Sequence, residues 1–551
     1  MKYIAITFLL SMMFGSVKVA AQVKKATAID TASAYYEKKD FKNAARFYDK
    51  YYIEQGHTKS NYDTYFAAVA AAHNGNIERA NYYLKSSAEV GYDFEEYNFF
   101  ADDPDNTPLR SVAGWKKFIG DFKVKADSAK AVLDKIIAEI NDTTIRAKAS
   151  LLDNKAYWEN LASKSTPEQL IKKIKQFQTY SPLKKDNFWS SYTIKANDTL
   201  TVPFLVYVPK GYRPTKKTPL YIYLHGALIN KLDFTASEYI PNGLEVSVMT
   251  KAIEQNAFII YPLGKKDFGW LYQQQAFETV LKEVLHVKSR YNIDDNKIYI
   301  GGHSNGGSGA FWFALNKPSI FASFFGFNYL PKTYFGNTSL RNLNNTKTFY
   351  GISGSEDTTF PLPLVNPIYK LGVNNGANWK NYVKKGKHAL PFYERDSINF
   401  IFDTLATTTR NPFPKKIEWE TDNIKNGRNA WLEILELDTL AEKASWHHTS
   451  NPTVVQNGKE GVLDFNKNKS GAVIATVKGN TIDIQTSRVK RMKLYISADM
   501  FDLNQQLKLT INGKDHINLK LLPDKNVIVE EFLKTKDREF IVANKIEFTV
   551  N

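Results

Sequence analysis

The sequence predicts a chain in three folded parts. These are an all-α repeat region, an α/β region with a mostly parallel sheet covered by helices on both faces, and a C-terminal β-sandwich-like domain. Three observations lead there. At 551 residues the chain is too long for one core, because single domains run to about 100–200 residues. Its texture changes twice, near Phe188 and again at the proline-bearing stretch NPFPKK. Between those points, and only there, short β-rich runs alternate with helical ones, which is the mark of a sheet fed by crossover helices. Hydrophobic content of 43% and aromatic content of 14% exclude a mostly disordered chain. The absence of cysteine excludes disulfides, thiolate metal sites, a cysteine nucleophile and a lipid anchor on cysteine.

Residues 1–21 read MKYIAITFLLSMMFGSVKVAA. Lys2 precedes an apolar run from Ile4 to Phe14, and Val19 and Ala21 supply small residues where a signal peptidase cuts. The run is shorter than the roughly 20 residues that span a bilayer. The segment is therefore read as a secretory signal peptide cleaved before Gln22, with no membrane-spanning segment after cleavage. The expected destination is the periplasm or the exterior, where a cysteine-free protein is at home. Loss of Lys2 and Lys18 takes the formal charge of +16 to +14. A charge of that size suggests nucleic acid, but export argues against it.

Residues 22–150 carry helical periodicity. ASAYYEKKDFKNAARFYDKYY and AAAHNGNIERANYYLKSSA place alanines and aromatics at matching offsets. Ala44 and Ala80 are 36 positions apart, so the region resembles tetratricopeptide-type helical hairpins, whose period is about 34. Such repeats either bind a protein partner or cap a neighbouring domain. Ala126, Ala129, Val132, Leu133, Ile136, Ile137 and Ile140 continue as an amphipathic helix. Residues 151–187 read as a helical linker.

Residues 188–408 form the α/β region. TVPFLVYVP, PLYIYLHG, AFIIYP, KIYIGG and KTFYGISG are strand-like, and QQQAFETVLKEVLHVKSRY is helical. Residues 412–551 turn to short alternating runs, among them IEWET, AVIATV, TIDIQT, RMKLYIS, NVIVE and KIEFTV. Turns such as Asn512-Gly513 divide them, as in a β-sandwich accessory domain.

The chemistry concentrates where KIYIGG runs into Gly302-His303-Ser304-Asn305-Gly306 and then into the helical SGAFWFAL. Gly-x-Ser-x-Gly at a strand-to-helix junction puts a serine on a sharp, strained turn, and the glycines allow close packing on either side. Ser304 is the candidate nucleophile. In sites of this layout the acid and then the histidine follow the serine in the chain. Four histidines follow Ser304, and His388 alone lies in the α/β region. The acids between Ser304 and His388 are Glu356 and Asp357. Asp357 fits better, three residues after Gly354 with Pro361 just beyond, and Glu356 is the alternative. An oxyanion hole needs two backbone N–H groups. Asn305 supplies one and Ala227, after the PLYIYL strand, the other, with Gly226 as the alternative. Leu228, Phe234 and Trp270 are pocket candidates, and Trp270 suits the core equally well. His225 reads as a structural loop histidine, and the pair His447-His448 as surface.

With these residues in view, the central region resembles the α/β-hydrolase fold. It is most similar to secreted esterases related to polyhydroxybutyrate depolymerases and to feruloyl and acetylxylan esterases, often labelled predicted peptidases. VPKGYRPTKKTPLYIYLHG, KAIEQNAFIIYP, VKSRYNIDDNKIYIGGHSNGG and LNKPSIFASFFGFN carry the resemblance, and IEWETDN with GRNAWLEI extends it to the C-terminal domain. It implies ester hydrolysis by a serine nucleophile with no metal or organic cofactor. The sequence departs from the pattern at Ala227, where another glycine is usual, and in the Ile-Ser-Gly before Ser355.

Two further readings stand beside the esterase. One is a prolyl-oligopeptidase-like peptidase with the same fold and triad, though the N-terminal region lacks propeller repeats. The other is a non-catalytic binding protein. Between Ser304 and His388 there are nine basic residues and two acids. That bias leads to the expectation of a positive face that attracts anionic acyl, lipid or glycan-linked substrates.

Overall fold

A computed structural model of the chain describes residues 27–55, 61–90, 96–228, 243–271, 273–389 and 395–550. The expected signal peptide lies outside the described residues. Among those described, no helix is long and apolar enough to cross a membrane. The chain divides into two units, Met1–Ile136 and Ile137–Asn551.

The first unit is helical: α1 (Ala28–Glu37), α2 (Phe41–Gln55), α3 (Asn61–His73), α4 (Ile77–Val90), α5 (Glu96–Asp102) and the start of α6 (Ala113–Asn141). α1 begins at a capping box, in which Thr27 and Asp30 satisfy each other's backbone N–H groups. Alanines 32, 44, 67, 68, 70 and 80 are fully buried, which lets successive helices approach closely. Tyr48, Tyr65, Tyr83 and Phe100 fill the remaining space.

The second unit opens with α7 (Lys155–Ser163) and α8 (Pro167–Lys175), followed by an eight-stranded sheet. Its strands are β1 (Phe188–Lys195), β2 (Thr201–Val208), β3 (Thr218–Leu224), β4 (Phe258–Pro262), β5 (Ile293–His303), β6 (Ser323–Phe327), β7 (Phe349–Gly354) and β8 (Trp379–Lys384). The order is β1-β2-β4-β3-β5-β6-β7-β8. The first two pairings are antiparallel and the rest parallel. The helices between the strands are α9 (Gly243–Glu254), α10 (Gln274–Lys288), α11 (Asn305–Asn316) and α12 (Leu362–Asn374), and α13 (Arg395–Thr407) follows β8. Alternation along β3 explains why both faces need cover. Leu220, Ile222 and Leu224 pack with α10, α11 and α12, while Tyr221 and Tyr223 pack with α9 and α13.

The C-terminal region holds a five-stranded and a four-stranded sheet around one core that contains Trp419, Trp431 and Met492. The strands are β9 (Lys416–Thr421), β10 (Arg428–Asn429), β11 (Leu432–Leu437), β12 (Thr453–Gln456), β13 (Lys459–Val462), β14 (Gly471–Lys478), β15 (Thr481–Ser487), β16 (Val489–Ile496), β17 (Leu507–Ile511), β18 (Asp515–Leu519) and β19 (Asn544–Thr549). β12 and β13 form a separate hairpin.

Two sequence expectations need correction here. NVIVE is not a strand but part of α14 (Lys525–Thr535), capped by the Asp524 side chain. Its β-branched residues favour strand locally. Ile528, Val529 and Phe532 fall on one helical face, however, and pack on Trp158, Leu170 and Ile174 of α7 and α8. Tertiary burial outweighs local propensity. Through the same contact α7 and α8, within residues 151–187, pack against α14. The second correction concerns His447, which is 2% exposed rather than at the surface. Its Nδ1 lies 2.9 Å from the Ser487 hydroxyl and its Nε2 3.4 Å from Glu420.

Buried ion pairs join the C-terminal segment to the sheet. Arg538 holds Asp295 at 3.0 Å and Asn292 at 2.7 Å, and Arg410 makes a two-pronged pair with Asp537 at 2.6 and 2.9 Å. Such pairs bring geometric specificity, because a lone buried charge is costly.

Candidate active site

β5 delivers the chain to Ser304, which caps α11 with φ 54° and ψ −119°. A positive φ in a residue with a Cβ is strained and persists only where surroundings enforce it. Here the Ser304 N–H donates to the Phe327 carbonyl at 2.9 Å. A Cβ on Gly302 or on Gly306 would overlap the Leu224 carbonyl at the end of β3. The two glycines of the motif are thus required by the adjacent strand.

The loop after β7 brings in Asp357. Its Oδ1 accepts the N–H groups of Thr359 at 2.8 Å and Phe360 at 2.9 Å. Its Oδ2 lies 2.8 Å from His388 Nδ1, and His388 Nε2 lies 2.9 Å from Ser304 Oγ. Ser304 is 7% exposed and Asp357 4%, while the His388 side chain is 27% exposed. Burial by itself would raise the Asp357 carboxyl. The His388 hydrogen bond and the two backbone donors outweigh it and hold the group below the usual carboxylate range. Glu356 is exposed and takes no part, its N–H donating to the Gly386 carbonyl at 2.8 Å.

Two supporting residues were not visible in the sequence. Asn328, 1% exposed with φ 44°, follows β6. Its Oδ1 accepts the Gly354 N–H at 2.8 Å, and its Nδ2 donates to the carbonyls of Lys387 at 3.2 Å and Ala389 at 2.7 Å. One amide therefore ties the acid loop to the loop carrying His388. His303 Nε2 donates to the His388 carbonyl at 2.8 Å. Burial is the main reason that the His303 imidazole is pushed down to about 4, so it stays neutral. The only sequence hint was a polar Asn closing the apolar run FFGFN.

A cavity of about 100 Å3 opens beside Ser304, lined by Gly226, Ala227, Leu228, Trp270 and Asn305 with Lys265 and Asp267. The structure thus gathers Ala227, Leu228, Trp270 and Asn305 around one space. Trp270 is both wall and core: it is 4% exposed, and its indole N–H donates to the His225 carbonyl at 2.9 Å. His225 braces the loop, its Nδ1 donating to the Gly226 carbonyl at 2.7 Å and its Nε2 accepting the Gly264 N–H at 2.8 Å. Phe234 lies outside the described residues.

Residues 199–362 match the model of the family described as "Putative esterase". That span contains Ala227, Leu228, Trp270, Ser304, Asn305 and Asp357 and ends before His388. No curated protein matches. Similar solved structures include a thermostable esterase, 20% identical with a TM-score of 0.34 over 40% of this chain and 63% of that one. A "putative dipeptidyl aminopeptidase IV" from Bacteroides ovatus is 18% identical, with a TM-score of 0.34 over 39% of this chain and 35% of that one. An S-formylglutathione hydrolase from Agrobacterium tumefaciens is 17% identical, with a TM-score of 0.32 over 40% and 95%. The chain thus spans less than two thirds of the first two. Over residues 199–362 the chain is thus similar to that family.

Proposed function

We propose that the protein is an exported serine hydrolase that cleaves carboxylic esters through Ser304, His388 and Asp357. The observation that carries this reading is the continuous chain from Ser304 Oγ through His388 to Asp357, with spacings of 2.9 and 2.8 Å. With Nδ1–H donated to the carboxylate, Nε2 is free to accept the serine proton. Ser304 Oγ then adds to the ester carbonyl. The oxyanion turns toward the N–H groups of Asn305 and Ala227. Collapse expels the alcohol, which takes the proton from His388, and leaves an acyl-serine. Water, deprotonated by His388, attacks the acyl carbon, and the released acid restores Ser304. Asp357, held ionised, orients the imidazole and stabilises its charged form. In this reading residues 1–21 direct export, and the basic residues near His388 favour anionic substrates.

The test is turnover of short p-nitrophenyl esters by wild type and Ser304→Ala. Turnover confined to the wild type supports the reading. Equal turnover by both overturns it. Cleavage of peptide amides with esters untouched would make the protein a peptidase.

A further inference from the structure

A second cavity lies where the α/β region meets the C-terminal domain, with a volume of about 220 Å3. Arg341, Asn344 and Asn375 line it from one side, and Glu420, His448 and Ser450 from the other. Arg341 and Asn344 lie in the crossover leading into β7, and Asn375 in the turn leading into β8. Ser304, Asp357 and His388 instead follow the ends of β5, β7 and β8. The cavity therefore belongs to the opposite edge of the sheet and is separate from the serine site.

Its chemistry is selective. Glu420, whose side chain is 2% exposed, accepts the Ser470 hydroxyl at 2.6 Å and faces Arg341 Nε at 3.6 Å. Glu418 is paired with Lys416 at 2.5 Å. Both lining carboxylates thus have their counter-charges, and nothing calls for an ion. Among the described residues lining the cavity, Leu340 is the one large apolar side chain, whereas sites for apolar ligands are mostly apolar. Besides Arg341 and His448, what remains is amides and hydroxyls, which both donate and accept. Arg341 Nε is buried without a hydrogen-bond partner among the described residues, the 3.6 Å to Glu420 being too long for one. At ~30 Å3 per water the space holds about seven waters, which suits a sugar residue better than a long chain.

We infer that this cavity binds a neutral saccharide. Its hydroxyls, each donor and acceptor at once, match the amide and hydroxyl walls. The proposal goes beyond the esterase reading and does not depend on it.

The test uses the full-length chain carrying Ser304→Ala, titrated calorimetrically with xylotriose, cellotriose and maltotriose, and with spermidine and a glucuronic acid trimer as charged controls. At least one neutral trisaccharide should bind with a Kd of about 1 mM or tighter. Asn375→Ala and Asn344→Ala, both at exposed positions, should each weaken it severalfold without affecting folding, and Arg341→Met about tenfold. Placed in the Ser304 chain, the same substitutions should leave p-nitrophenyl ester turnover unchanged. No binding by any neutral probe would overturn the proposal. So would preference for a charged probe, or binding that survives all three substitutions.

Discussion

Among the described residues, a serine, a histidine and a carboxylate come together in two places, and their differences are informative. In the first, His388 sits between Ser304 at 2.9 Å and Asp357 at 2.8 Å. In the second, His447 sits between Ser487 at 2.9 Å and Glu420 at 3.4 Å. The residue types match, but the settings do not. Ser304 stands on a strained turn at the start of a helix, with an open cavity beside it. Ser487 ends a strand, its hydroxyl accepts the Ala444 N–H at 3.0 Å, and His447 has a fully buried side chain. A substrate carbonyl could approach Ser304, whereas Ser487 is enclosed. Proximity of the right groups is therefore not enough. In the proposed reading, the strand-to-helix turn and the space beside it are what would distinguish a reactive site from a structural one.

That contrast can be broken most sharply at the two serines. Ser304→Ala should cost about ten-thousandfold or more in kcat for p-nitrophenyl ester hydrolysis, whereas Ser487→Ala should leave kcat unchanged. A large loss from Ser487→Ala with folding intact would erase the distinction. Next in size is Asn328, which positions His388 and Asp357 without touching substrate. Asn328→Ala should lower kcat by about a hundredfold, because small misplacements of reacting groups are costly, while KM changes little. A matching rise in KM with kcat unchanged would show that the clamp serves binding instead.

The second grouping should register in stability rather than turnover. Glu420→Gln keeps the shape but removes the charge facing Arg341 and His447, and should destabilise the fold by about 1–3 kcal/mol, read by urea unfolding. Unchanged stability with impaired hydrolysis would reverse the roles assigned to the two groupings.

The smallest effect is the dependence on acid. Burial is the leading cause that lowers His303 to about 4 and His286 to about 3. In the unfolded chain both take up protons below about 6.5. The unfolded state therefore binds more protons between pH 6.5 and 4, so the stabilisation is complete above pH 6.5 and declines as pH falls toward 4. Thermal melts should show Tm dropping over that window by on the order of a few degrees. His303→Gln should shallow the drop, and an unchanged slope would remove His303 from the account.

The sequence carried the turn at Ser304 because glycine spacing between a strand and a helix is a local signal. His388 and Asp357 were legible by chain order, since few candidates follow Ser304. Asn328 was not, because its work is done across three loops far apart in sequence, and nothing in FFGFN reports on Gly354 or Ala389. The NVIVE helix escaped for a related reason. Its partners Trp158 and Leu170 lie more than 350 positions upstream, so local β propensity was the only visible signal. His447 read as surface because its neighbours in sequence are polar, although Glu420 and Ser487, which enclose it, come from β9 and β15.

The central claim is that Ser304 is the nucleophile, activated by His388. The most direct test is reaction of the full-length protein with a fluorophosphonate, followed by peptide mapping. The account predicts one adduct, on the peptide containing Ser304, with loss of ester turnover in proportion to labelling. An adduct on Ser487, or full ester turnover in protein labelled at Ser304, would contradict it.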